Sequence, residues 1–293
     1  MTSALRTPAV AGRFYPGRAE ELLREVRNYT SRRYASAGTS PEISSDKPPV
    51  AGERVAAIGC VAPHAGYIYS GHVAGAVYAR IQIPERCVIL CPNHTGRGVP
   101  LAIMTATAWE TPLGVVVADS ELGSRLVERF PGLREDSAAH RGEHAIEVQL
   151  PFLQTLQPQL RIVPIAVGTS NFEMLRGLGV ALGEAIRKEV EDGRSGKVLI
   201  VASSDMNHYE SDAVTRVKDR KAIDRILAMD GRGLWEVVMS EDISMCGFGP
   251  TIVMLTAAQL LGATTATLVK YATSGEVSGD YEAVVGYAGI VVA

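Results

Sequence analysis

Six residues of this 293-residue chain have the types and spacing to form one polar, metal-competent pocket: His64, His94, His144, Asp205, His208 and Cys246. His64 lies in Pro63-His64-Ala65-Gly66-Tyr67, just past the apolar run Val55–Ala62. His94 lies in Pro92-Asn93-His94-Thr95-Gly96, just past Arg86–Cys91. Asp205 and His208 lie in Ser203-Ser204-Asp205-Met206-Asn207-His208, just past Lys197–Ala202. His144 opens a helical pattern at Glu143-His144-Ala145-Ile146-Glu147, and Cys246 sits in the glycine-flanked turn Met245-Cys246-Gly247-Phe248-Gly249-Pro250. Imidazole and thiolate together are a transition-metal ligand set. A helix start lowers a thiol's pKa, which favours the thiolate at Cys246. An imidazole with a carboxylate beside it is an acid/base pair, and the spacing of Asp205 and His208 lets them meet if the chain turns helically there.

Each residue also has a plainer reading. A lone histidine after a strand is more often a loop or core residue than a ligand, but three at equivalent strand ends argue for a site. His72, at the start of a small-residue helix, reads as structural. Cys60, Cys87 and Cys91 fall inside apolar runs and read as small core residues. His140-Arg141-Gly142-Glu143-His144 matches the H-x-x-E-H pattern of zinc peptidases, which requires a helix through Gly142. Glycine is a poor helix residue, so the helix starts nearer Glu143 and the peptidase reading is set aside.

The elements that position these residues alternate in type. The runs Val55–Ala62, Arg86–Cys91, Arg161–Val167 and Lys197–Ala202 are short and rich in β-branched residues, as in strands buried on both faces. Helical patterns cover about 19–34, 71–80, 120–130, 144–156, 171–192, 212–228 and 250–261, with late strands at about 264–271 and 284–292. Residues 36–52 read as a surface loop, and Leu101–Ala106 with Leu113–Ala118 as a hairpin-like addition. Such alternation predicts an α/β fold, one domain over residues 1–293, with a mixed, mostly parallel sheet flanked by helices. Ligands of open α/β sheets bind beyond the carboxyl ends of the strands, where the histidines fall.

Composition narrows the function. Net charge is −3 and aromatics make up 6% of residues, which gives neither a basic footprint nor a stacking platform for nucleic acid. The uncharged stretch Cys246–Val269 is broken by Pro250, Gln259, Gly262 and five threonines, which argues against a membrane span. The N-terminus lacks the pattern of a secretory leader, and the four cysteines do not form a disulfide framework, so the expected location is cytoplasmic. Phosphate-loop, nucleophile-elbow and dinucleotide motifs are absent.

The motifs above, with Ala11-Gly12-Arg13-Phe14-Tyr15-Pro16-Gly17 and Glu143-His144-Ala145-Ile146-Glu147-Val148-Gln149-Leu150-Pro151, resemble the MEMO family over nearly the whole chain. Bacterial and archaeal members of that family are called AmmeMemoRadiSam system protein B. The resemblance implies a fold like that of class III extradiol dioxygenases, which hold non-haem iron with two histidines and a carboxylate. It places His64 and His94 at the two histidine ligands, Cys246 at the carboxylate, and His208 at the acid/base histidine with Asp205 beside it. It implies non-haem iron or copper as cofactor, with a radical enzyme and an AMMECR-type protein as partners. Two function classes follow. One is a metal-dependent oxidoreductase for a small molecule, with His64, His94 and Cys246 on the metal, His208 moving a proton, His144 binding substrate or supporting the ligands from outside, and Tyr15 over the pocket mouth. The other is a non-enzymatic protein that binds metal or peptide in the same pocket. A thiolate in place of a carboxylate is softer and itself oxidisable, which separates this site from ring-cleaving enzymes.

Overall fold

Short apolar runs that alternate their side chains between two buried faces set the architecture of this computed structural model, which describes residues 5–31, 54–193 and 196–293. Along the chain these residues form β1 (Leu5–Arg6), α1 (Ala19–Tyr29), β2 (Gly59–Ala62), α2 (Tyr67–Ala79), β3 (Arg86–Pro92), β4 (Leu101–Ile103), β5 (Ala108–Thr111) and β6 (Gly114–Ala118). Next come α3 (Ser120–Arg129), β7 (Arg134–Glu135), a 3₁₀ turn (Glu147–Gln149) running into α4 (Leu150–Leu156), β8 (Arg161–Val167) and α5 (Phe172–Glu191). The last third holds β9 (Val198–Ser203), β10 (His208–Glu210), α6 (Asp212–Leu227), α7 (Gly231–Ser240), α8 (Phe248–Leu260), β11 (Ala266–Thr273), α9 (Gly275–Ser278) and β12 (Val284–Val292).

The heart of the sheet is the parallel set β8, β3, β9 and β2. Val61, Val88, Leu90, Val163, Ile165 and Ile200 point to one face, under α5 and α8. Cys60, Cys87, Ile89, Cys91, Ile162 and Val201 point to the other, under α1, α2 and α4. Successive strand residues face opposite sides, and both sides are covered, so the runs are apolar throughout. The three strand cysteines are core residues for this reason, as expected. Around this set, β6 joins β8 in parallel, and β12 runs antiparallel on β2, with β10 and β11 antiparallel on β12. On the α1 side, Gly71 and Gly75 of α2 leave room for Tyr29, whose ring and Cβ lie 2.6 Å from where their Cβ atoms would stand.

Several elements differ from expectation. The first helix ends at Tyr29 rather than residue 34, where Thr30 turns its hydroxyl back onto the Val26 carbonyl. Residues 32–34 and the predicted loop 36–52 lie outside the described residues. The strand read as Val55–Ala62 is Gly59–Ala62, and Val55 makes only an isolated bridge to Ile81. The hairpin joins Ala108–Thr111 to Gly114–Ala118, because the Thr111 hydroxyl closes a tight turn onto Leu113 N and Gly114 O. Leu101–Ile103 instead runs antiparallel on β8. Helix α7 went unread because Gly231 and Gly233 mask its start, which the Asp230 carboxylate caps by accepting from Gly233 N. No helix among the described residues is long and apolar enough to cross a membrane.

Candidate metal centre

Parallel pairing puts the carboxyl ends of β2, β3 and β9 side by side, so His64, His94 and the 204–208 loop leave the sheet on one side. The segment 143–149 and the Cys246 turn close around them. His64, His94 and His144 each bring a ring nitrogen to a common point, all within 4.8 Å of one another, a geometry able to hold a metal ion. The His94 and His144 rings stack with centroids 4.8 Å apart, and both meet His64 edge-on. The centre is graded from deep to open. His64 is 2% exposed, His144 21% and His94 34% at the side chain.

Neighbouring groups decide which nitrogen each ring presents. The Ser203 hydroxyl donates its only hydrogen to Ala145 O (2.7 Å), so toward His64 Nδ1 at 3.0 Å it accepts. His64 therefore carries its hydrogen on Nδ1 and leaves Nε2 bare. His94 Nδ1 donates to the Glu143 carboxylate at 3.0 Å, which leaves its Nε2 bare as well. Glu143 also accepts from the backbone N–H groups of His94, His144 and Ala145. Burial acts against that carboxylate's charge, but His94 and these backbone donors hold its pKa down at about 2. Burial likewise acts against a charged His94, and the hydrogen bond and charge of Glu143 reverse the effect and raise its proton affinity. His64 is pushed well below the ordinary imidazole range by burial and by its histidine neighbours, so it is a neutral, available donor. An ionised outer carboxylate on one imidazole and a hydroxyl on another are the supports that metal-binding histidines use.

Cys246 Sγ stands 3.3 Å from His64 Nε2 and accepts from Asp205 N at 3.3 Å. Gly247 brings it there, since any Cβ at that position would collide with Ser204 at the end of β9. The expectation of an easily ionised thiol is corrected. Burial, together with the Asp205 carboxyl nearby, pushes the Cys246 pKa well up despite the helix that follows. In the metal-free site the thiol keeps its proton and can donate it to the bare His64 Nε2. Among the four cysteines it is still the one that is not fully buried.

Two further expectations change. Asp205 and His208 make no hydrogen bond among the described residues, because the chain makes no helical turn through 204–207 and enters a strand at His208. Asp205 Oδ1 accepts from His64 N (2.7 Å), which fixes the backbone of that ligand candidate. His208 Nδ1 instead faces Ser244 O at 2.9 Å, and a carbonyl can only accept, so its Nε2 is bare. Tyr15 is not over the mouth. It is 3% exposed, and its hydroxyl donates to Glu147 Oε1 (2.7 Å). The aromatic that reaches the centre is its neighbour Phe14, edge-on to His144 at 4.9 Å. Buried Glu147 also takes Arg6 and the N–H groups of Ala9 and Val10, so it staples the N-terminal segment to the segment carrying His144. Sequence reading missed Glu143, Glu147, Ser203 and Phe14. Glu143 and Glu147 stood inside the quoted motif, but only the fold shows that their carboxylates are buried. The peptidase pattern fails on geometry, since Gly142 has φ +84° and no helix joins His140 to His144.

With this geometry in hand, comparison with known proteins is direct. Residues 6–291 match the family described as Memo-like protein. A MEMO1 family protein of Methanopyrus kandleri is 44% identical over 290 residues, covering 98% of both chains. One of Ignicoccus hospitalis is 44% identical over 290 residues, also 98% of both. One of Methanosarcina barkeri is 40% identical over 289 residues, 98% of this chain and all of the relative. The chain belongs to the Memo-like family.

Proposed function

We propose that this protein binds a transition-metal ion on His64, His94 and His144 and is a metal-dependent oxidoreductase for a small molecule. The convergence of three imidazole nitrogens within 4.8 Å, open toward solvent on the His94 side, carries this reading. A nitrogen-rich donor set with a thiol beside it suits iron, copper or zinc and does not suit magnesium or calcium. When bound, a redox-active ion supplies electron transfer and activation of an oxidant. The chain's own residues do the rest. Ser203 and Glu143 fix the ligand tautomers, Asp205 holds the His64 backbone, and His208 presents a bare Nε2 able to take or return a proton. Phe14 forms an apolar wall against His144.

The 3.3 Å approach of Cys246 Sγ to His64 Nε2 supports a second reading. If the thiolate completes a four-donor set, the site is closed and the protein carries or sequesters metal. Titration of the metal-free protein with Fe(II), Cu(I) and Zn(II) under anaerobic conditions separates the two readings, using wild type, His144→Ala and Cys246→Ser. An open three-histidine centre loses affinity in His144→Ala, keeps it in Cys246→Ser and admits exogenous ligands such as azide or nitric oxide. A closed centre loses affinity in Cys246→Ser and admits none. Wild type that binds no metal sinks both.

A further inference from the structure

We infer that Asn207 and Asp219 are positioning residues that hold His208 and the Cys246 turn in one fixed arrangement. The inference rests on the reading of His208 as the proton carrier of the site. Asn207 is fully buried, and its backbone and side chain are both engaged. Its Oδ1 accepts from Ser244 N and from Ser244 Oγ, both at 3.0 Å. Ser244 in turn meets His208, its Oγ accepting from His208 N (2.8 Å) and its carbonyl from His208 Nδ1 (2.9 Å). Two residues beyond Ser244 stands Cys246, tied back to the same loop through Asp205 N. Asn207 therefore clamps one end of the 244–246 turn while Asp205 clamps the other. His208 follows directly on the stretch that carries Asp205, whose Oδ1 holds His64 N, so it leaves the sheet on the same side as the three imidazoles.

Asp219, on α6, fixes Asn207 itself. Its Oδ1 accepts from Asn207 N (2.8 Å), and its Oδ2 accepts from the Tyr271 hydroxyl (2.7 Å). The carboxyl occupies a slot beside Gly286 that any side chain there would fill, since a Cβ would overlap Oδ2. Gly286 completes the frame, its N–H donating to Asn207 O (2.9 Å) and its carbonyl accepting from Met206 N (2.8 Å). A carboxylic group placed without exposure, where burial opposes its charge, is a costly way to hold one backbone N–H and one hydroxyl. The arrangement makes sense as a device for keeping His208 in one tautomer and one place.

The test is the tautomer of His208, read from ¹⁵N-histidine NMR of the metal-free full-length protein, with the His208 signals assigned by His208→Gln. Wild type should show a single Nδ1–H form. Asn207→Ala should convert it to an averaged two-tautomer pattern. Asn207→Asp keeps the acceptor toward Ser244 but sets a second carboxylate against Glu210, to which the Asn207 amide donates at 2.6 Å, so it should restore the wild-type pattern only in part. Asp219→Asn preserves the shape and should retain the wild-type pattern, whereas Asp219→Ala should average it. If an alanine variant does not fold, Ser244→Ala at the exposed turn gives the same readout, with partial averaging expected. Wild-type averaging, or an unchanged single tautomer in folded Asn207→Ala and Ser244→Ala, overturns the inference. Because the readout needs no metal, its failure is distinct from failure of wild type to bind metal, which overturns the functional reading instead.

Discussion

Strand β3 carries a buried polar cluster at each end, and the two are built on opposite principles. At its amino end Arg86 sits between Asp119 and Glu189, with Arg125 also on Glu189. Two cations meet two anions, and each finds its partner within the protein. At the carboxyl end three imidazoles meet, two of them with their outer nitrogen held by Ser203 or Glu143 and their inner nitrogen bare. Burial and the neighbouring rings oppose a second positive charge there, so His64 and His144 are both held below the usual histidine range. The first cluster is complete as it stands. The second brings three ring nitrogens within 4.8 Å of one another with no anion among them, an arrangement that becomes favourable when something electron-poor lies between them. The difference separates a cluster closed by its own ion pairs from one with room and donors for a ligand.

The contrast breaks most sharply if the two ends are disabled in turn. Arg86→Met leaves Asp119 and Glu189 buried with too few cations, and should cost roughly 3–5 kcal/mol in urea unfolding. Metal bound per folded molecule should not change. His64→Ala should do the reverse. Metal affinity should fall by more than about 100-fold, beyond what loss of an outer partner costs, while stability falls by less than about 1.5 kcal/mol because a neutral imidazole is lost and no buried charge is left unpaired. If both substitutions harm stability alone, the carboxyl-end cluster is structural and the contrast is false.

A subtler substitution reaches the outer support. Glu143→Gln keeps the shape but removes the charge that raises the proton affinity of His94, and should weaken metal binding by about 10–100-fold. Isothermal titration of wild type and variant with one metal at one pH measures it. Equal affinities would mean that Glu143 serves only the backbone donors of the 143–145 turn.

The smallest expected effect concerns His140, a histidine close to the centre in sequence but outside it. It is fully buried against Trp109, and neither ring nitrogen has a hydrogen-bond partner among the described residues. Burial, with the Arg6 charge nearby, lowers its pKa to about 4. The folded chain resists protonation that the unfolded chain accepts near the ordinary value, so stability is full above about pH 6.5 and falls as pH drops toward about 4. This one group contributes up to roughly 3 kcal/mol to that fall. His140→Leu should be close to neutral at pH 7, since no hydrogen bond is lost, and should flatten the acid limb of stability against pH. An acid limb as steep as in wild type would assign it to His72 and the metal-centre histidines instead.

The chain by itself determined the parallel core of the sheet, the strands whose ends carry chemistry, and the kinds of donor found there. Those facts are local. Alternation of β-branched residues, apolar runs of strand length and the residues just beyond them can be read within a few positions, and they placed His64, His94 and His208 on one side. What only the tertiary structure decided are the distances between segments far apart in sequence. It chose His144 as the third imidazole and set Cys246 beside His64. It gave Asp205 to the His64 backbone rather than to His208, and buried Tyr15 while Phe14 met the ring. It recruited Glu143, Ser203 and Asp219, whose letters carry no mark of their role. Sequence spacing specifies direction along a strand or round a helix turn. Which side chain completes a hydrogen bond across 41 or 141 residues is settled by packing, since a buried polar group must find its partner wherever the fold brings one within reach.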